Sequence, residues 1–75
     1  MKRKQVQSSN IRSIGYNGSL GILEVEFNGS SVYYYKEVKP EVVVELLLAD
    51  SIGAYFASNI KTKYQYAKGE YNVWF

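Results

Sequence analysis

Leu23-Glu24-Val25-Glu26-Phe27, then Asn28-Gly29, then Val32-Tyr33-Tyr34-Tyr35-Lys36, then Pro40: this stretch decides how the chain folds. Residues 23–27 alternate apolar and charged side chains, the pattern of a strand with one face buried. Asn28-Gly29 is a hairpin signal, because both residues accept positive φ at low cost. The tyrosine run is rich in strand formers. Pro40 fits the first turn of a helix, where its missing N–H donor costs nothing. The stretch therefore reads strand, tight turn, strand, helix. Tyr33 and Tyr35 share a strand face, since side chains alternate with a period of two. The length of the turn decides which face. A two- or four-residue loop puts both tyrosines beside Glu24 and Glu26, read here as solvent-facing. A three-residue loop with a glycine bulge puts them beside Leu23, Val25 and Phe27, on the core side.

Upstream, Asn17-Gly18 is a second turn signal, and the spacing predicts three strands at about 10–16, 20–27 and 31–37. A meander is their simplest antiparallel order. Downstream, Glu41 and Glu45 complement the N-terminus of a helix that runs to about Ala49. Val42-Val43-Val44 is a poor helix former, so a fourth strand is the rival there. Asp50-Ser51 supplies a cap for a second helix over about 51–60. The expected class is α+β: a three-stranded antiparallel β-meander packed against two C-terminal helices. Ile14, Leu23, Val25, Phe27, Val43, Leu46, Leu47, Phe56 and Ile60 form the expected core. Residues 1–7 read as a disordered basic tail, 8–66 as the domain, and 67–75 as an aromatic tail.

Seventy-five residues with neither cysteine nor histidine exclude much. There can be no disulfide and no thiolate metal site. Ser-His-Asp and Cys-His catalysis fall away, as do ordinary zinc sites. Gly15, Gly18 and Gly21 follow hairpin geometry and open no helix, so no phosphate-binding glycine loop is present. The expectation is a non-catalytic protein with no cofactor and no metal. The polar run 5–10 behind Met1-Lys2-Arg3-Lys4 is unlike a signal peptide. The longest apolar run is broken by Glu45 and is too short to span a bilayer. A cytoplasmic protein without membrane contact is expected. The net charge of +2 hides a polarity. Lys2, Arg3 and Lys4 leave residues 5–75 at −1; residues 24–50 carry −4, and residues 61–75 carry +2.

The order of short motifs resembles the KTSC domain, a module named for its place at the C-terminus of some lysyl-tRNA synthetases and also found in short bacterial and phage proteins. Ser8-Ser9-Asn10-Ile11-Arg12-Ser13-Ile14-Gly15-Tyr16, Leu23 to Phe27 and the Tyr33-x-Tyr35 pair carry the likeness. So do Val38-x-Pro40, Ser51-x-Gly53-x-Tyr55-Phe56, and Asn59-Ile60 followed by Tyr64. Tyr34-Tyr35-Lys36 departs from the usual pattern, in which a basic residue separates the tyrosines and an aromatic follows. The resemblance implies a β-meander with helices and an RNA-binding role tied to the synthetase.

Lys61-Thr62-Lys63-Tyr64-Gln65-Tyr66-Ala67-Lys68 interleaves three cations with two aromatics and no acid. That combination suits phosphate neutralisation with base stacking. The candidate site for RNA or single-stranded nucleic acid is therefore Arg12, Lys61, Lys63, Tyr64 and Tyr66, with Tyr33 and Tyr35 added if their face is open. For each there is a plainer role: tyrosines packed in a core or on a sheet, and an arginine paired across strands with Glu24 or Glu26. The competing function is protein interaction, with a partner protein or as a homodimer. It would use the acidic middle and Tyr71, Val73, Trp74 and Phe75, which are too apolar for a free tail.

Overall fold

The computed structural model describes residues 3–6, 8, 10–29 and 31–69, and has the element order β1 (Arg3–Gln5), β2 (Ile11–Asn17), β3 (Ile22–Phe27), β4 (Val32–Tyr35), α1 (Pro40–Leu48), α2 (Ile52–Asn59) and β5 (Tyr66–Lys68). The strands form one antiparallel sheet in the order β1-β2-β3-β4-β5. The α+β class holds, but two strands were not foreseen. Arg3–Gln5, expected in a disordered tail, pairs with Ser13–Gly15. Tyr66–Lys68, expected as loop and tail, pairs with Tyr33–Tyr35. Both are three-residue edge strands, too short to leave a periodic signal in the sequence. Tyr71, Val73, Trp74 and Phe75 lie outside the described residues.

Between Phe27 and Ser31 the turn takes three residues. Phe27 N–H donates to the Ser31 carbonyl at 2.8 Å, and Gly29 sits at φ +93°. This selects the second of the two registers: Leu23 faces Tyr35, and Val25 faces Tyr33. Tyr33 and Tyr35 thus lie on the inner face, with the helices. In the β2–β3 turn, the Asn17 side-chain carbonyl accepts from Ser19 N–H at 3.0 Å and Leu20 N–H at 3.2 Å. Such a side chain closes a turn without help from the strands.

Pro40 opens α1, and the three valines are helical. Val43 and Leu46 face the sheet while Val44 stays exposed; burial of one face outweighs the weak helix preference of valine. Ser51 Oγ accepts from Ala54 N–H at 3.2 Å and starts α2. Tyr55 OH donates to Glu45 Oε1 at 2.7 Å, tying α2 to α1. Next to the cap, a Cβ on Gly53 would stand 2.9 Å from Asn10 Oδ1, so the chain ahead of β2 packs directly on α2.

The inner core joins Ile11, Ile14, Leu23, Val25 and Tyr35 to Val38, Val43, Leu46, Phe56 and Ile60. Phe27 and Leu47, expected inside, are partly buried and pack against it. The outer face corrects a second expectation. Glu24 is 2% exposed rather than solvent-facing, and Tyr34 beside it is also 2% exposed. Ser13 Oγ donates to Glu26 Oε1 at 2.7 Å across the β2–β3 pair.

Candidate nucleic-acid interface

β4 is four residues long, and β5 pairs with it to extend the sheet by one edge strand. In register, Tyr35 opposes Tyr66 and Tyr33 opposes Lys68. Two backbone bonds frame the addition: Lys36 N–H to the Gln65 carbonyl at 3.0 Å and Gly69 N–H to the Val32 carbonyl at 3.1 Å. Four residues of one sheet edge therefore present Tyr33, Tyr35, Tyr66 and Lys68 toward the same side.

The ring geometry is dense. Tyr33 and Tyr35 stack with centroids 6.5 Å apart and 22° between planes. Tyr66 stands 5.6 Å from each of them. Phe27 meets Tyr33 edge-on at 5.4 Å and Phe56 at 5.5 Å. Phe56 meets Tyr35 edge-on at 5.4 Å. Edge-to-face contacts at these spacings are favourable, because the positive rim of one ring meets the negative face of another.

The turn after α2 supplies the opposite wall. The Phe56 carbonyl accepts from both Ile60 N–H at 3.0 Å and Lys61 N–H at 2.9 Å, and Lys63 N–H donates to the Ile60 carbonyl at 3.1 Å. This tight turn brings Lys61, Thr62 and Tyr64 to face the strand aromatics. Between them lies an open cleft of about 620 Å³, bounded by these residues with Phe27, Ser31, Tyr33, Tyr35, Phe56 and Tyr66. Among the described residues that line it, none is acidic. Lys68 Nζ lies 5.9 Å from the Tyr33 ring centre, a cation over an aromatic face.

Burial within the cleft is graded. Tyr35 forms its floor at 3% exposure, while Tyr66 is 56% exposed at the rim. Burial pushes the Tyr35 hydroxyl up to about 12, with the neighbouring Tyr33 and Tyr66 phenols adding to it. Tyr35 therefore stays a neutral hydrogen-bonding group throughout the physiological range. The described surface of the cleft presents rings, phenol hydroxyls and lysine cations.

Five of the seven residues expected for nucleic acid line this one cleft: Tyr33, Tyr35, Lys61, Tyr64 and Tyr66. Lys63 borders an adjoining shallow pocket of about 300 Å³ with Lys36, Glu37, Tyr64 and Gln65. Arg12 is not among them. It is exposed at the bulge between Ile11 and Ser13 and lines a separate groove with Gln5, Ser8 and Asn28. A one-residue bulge leaves no trace in the alternation of a short strand, so nothing in the sequence places Arg12 away from the cleft. Sequence reasoning also passed over Phe27 and Phe56, which read as core. It counted Lys68 among the cations of residues 61–68 but did not name it at the site, and the pairing of β5 with β4 sets it over Tyr33. Among the described residues, no group of three or more potential metal ligands comes together.

Known proteins place this arrangement in context. A relative from Stutzerimonas stutzeri, described only as an uncharacterised protein, is 49% identical over 64 residues, covering 85% of this chain and 90% of its own. A protein from Tsukamurella paurometabola is 38% identical over 60 residues, covering 80% and 90%. The crystal structure of a KTSC domain protein from Yersinia pestis superposes with a TM-score of 0.89 at 33% identity, over 92% of this chain and 97% of that one. The KTSC domain model matches residues 7–64. From β2 through the turn that builds the cleft, this chain belongs to the KTSC domain family.

Proposed function

We propose that the domain is a non-catalytic module that binds RNA or another single-stranded nucleic acid. The observation that carries this reading is the cleft itself. Six aromatic side chains surround about 620 Å³ of open space, with Lys61 in its wall and Lys68 over one of its rings. Unpaired bases stack on Tyr33 and Tyr66, and phosphates meet Lys61, Lys63 and Lys68. Base stacking on aromatics contributes about 1–3 kcal/mol per base, and cations supply a salt-sensitive remainder. At about 620 Å³ the cleft is too small for a duplex, which favours extruded or unpaired bases. Glu24 and Glu26 lie on the other face of the sheet, no acid lines the cleft among the described residues, and Glu37 stands beside Lys63 in the adjoining pocket. A cytoplasmic location, where RNA is plentiful, fits the same reading.

The test is an anisotropy titration of labelled tRNA and of a mixed-sequence single-stranded RNA, at low and at physiological salt. The expected result is micromolar or tighter binding that weakens with salt. Replacing Lys61 and Lys63 with Ala should flatten the salt slope by about one unit each. Absence of binding at low salt, where attraction is least screened, overturns the proposal. A second reading, a protein partner, draws on Val44 and Leu48, which are 55% and 78% exposed one helical turn apart on α1. That reading gains if RNA fails and Leu48→Glu abolishes an association seen by sedimentation.

A further inference from the structure

The cleft floor holds a polar atom that the fold itself does not use. Tyr16 donates its hydroxyl to the Val38 carbonyl, and Tyr55 donates to Glu45. Tyr35 makes its contacts through its ring, to Tyr33, Phe56 and Tyr66. It is 3% exposed and lines the cleft, and among the described residues its hydroxyl has no hydrogen-bond partner. Burial and the neighbouring phenols hold its proton on, with no hydrogen bond contributing. Leaving a buried hydroxyl unpaired costs free energy that an atom of a bound molecule would return. The other polar groups around the cleft differ: Lys61, Thr62 and Lys68 are exposed and solvated.

We propose that Tyr35 is the residue that sorts bases: a base enters the cleft edge-first, stacks on Tyr33 or Tyr66, and meets the Tyr35 hydroxyl with its far edge. The proposal rests on the nucleic-acid reading above and names its preferred ligand, single strands rich in uracil or guanine. A phenol donates a hydrogen bond strongly and accepts one weakly, because its ring draws in the oxygen lone pair. Uracil O4 and guanine O6 are acceptors on the edge away from the sugar, whereas cytosine and adenine carry an amino donor there. Tyr35 therefore favours the keto bases. The lysines do not make this distinction. Lys61, Lys63 and Lys68 are exposed, and phosphate contacts position a strand without reading its sequence. Affinity and selectivity thus fall to different residues of the same site.

The test titrates labelled oligouridine and oligocytidine of equal length, both single-stranded, by anisotropy against the intact chain, Tyr35→Phe and Lys61→Ala. The intact chain should bind oligouridine roughly threefold to tenfold tighter, the span of one hydrogen bond. Tyr35→Phe keeps the ring and loses the oxygen, so it should bind the two alike. Lys61→Ala should weaken both and keep their ratio. Each ratio is taken on one variant, so a loss of folded fraction does not change it. Equal affinities in the intact chain, or a preference that survives in Tyr35→Phe, overturn the proposal and leave the nucleic-acid reading in place. Failure of both oligomers to bind at low salt overturns that reading and this proposal with it. If Tyr35→Phe fails to fold, the ligand decides. An oligomer of pyrimidin-2-one riboside, which lacks the uracil O4, should bind the intact chain no tighter than oligocytidine does. Binding as tight as that of oligouridine overturns the proposal.

Discussion

The inner face of the sheet has two halves built on the same strands, and they differ in kind. Where α1 and α2 lie over it, the side chains are mostly aliphatic and closed: Ile11, Ile14, Leu23 and Leu46 are each 3% exposed or less. Where β5 extends it by one edge strand, the side chains are aromatic and graded from buried Tyr35 to exposed Tyr66. The closed half spends its surface on stability. The open half keeps rings at packing distance from one another without filling the space above them. Aromatic side chains allow this, because a ring can pack by one edge and present its face. The division of labour within one layer gives stability to the closed half and recognition to the half framed by β4, β5 and the turn after α2.

The sharpest way to break this comparison is to truncate one residue in each half. Leu46→Ala removes a fully buried side chain from the closed half and should cost about 2–5 kcal/mol in urea or thermal unfolding. Tyr66→Ala removes a larger but mostly exposed side chain from the open half and should cost under about 1 kcal/mol. Equal losses would mean that the cleft is part of the core and not a surface held open.

Binding should invert that order. Tyr66→Ala and Tyr33→Ala should each weaken single-stranded RNA by about 1–3 kcal/mol in an anisotropy titration, the loss of one stacked base. A Leu46 variant that remains folded should bind as the unaltered chain does. If the tyrosine variants keep full affinity while lysine variants lose it, the rings are structural and the ligand is held by charge alone.

The two halves were not equally legible in the sequence. The closed half was: Pro40, the Ser51 cap and the apolar spacing of 43, 46, 56 and 60 are local signals, each with a local cause. The open half was legible in composition and not in assembly. Lys61 to Lys68 announced cations among aromatics, but its pairing with Tyr33–Tyr35 spans two helices, and three residues carry no period. The face of Tyr33 and Tyr35 hung on one residue of turn length, which the sequence left open and the Phe27–Ser31 bond settles. The outer face misled for a different reason. Alternation of Glu with apolar residues reports which side a residue takes, but not whether that side is covered, and Glu24 is covered.

Tyr35 joins the halves, touching Phe56 in one and Tyr66 in the other, and its hydroxyl sharpens the comparison through pH. Burial raises its ionisation to about 12 from an unfolded value of 10.0. The folded state therefore holds the proton more tightly than the unfolded chain. The stability linked to this group is complete below pH 10 and is lost as pH climbs from about 10 to 12. Thermal melts across that window should fall more steeply for the unaltered chain than for Tyr35→Phe. Identical slopes would show that the hydroxyl already reaches water and that the cleft floor is wetter than its burial implies.

The smallest effect lies where the chain passes from one half to the other. Glu37, between β4 and α1, sits at φ +61°, the one non-glycine residue among those described to do so. The next residue is pinned, because Val38 N–H donates to the Gly21 carbonyl at 2.9 Å. Strain at a left-handed non-glycine position is about 1–2 kcal/mol. Glycine would relieve it but would add about 0.4–1 kcal/mol of freedom to the unfolded chain. Relief exceeds that cost by a small margin, so Glu37→Gly should stabilise by under about 1 kcal/mol, and Glu37→Val should destabilise. Because Glu37 also shares a pocket with Lys36 and Lys63, its charge is controlled with Glu37→Gln: Glu37→Gly should raise the melting temperature above that of Glu37→Gln, and the two variants should bind RNA alike. A difference in affinity between them would mean that the halves are mechanically coupled through this joint, and their separation into a stabilising part and a binding part would fail.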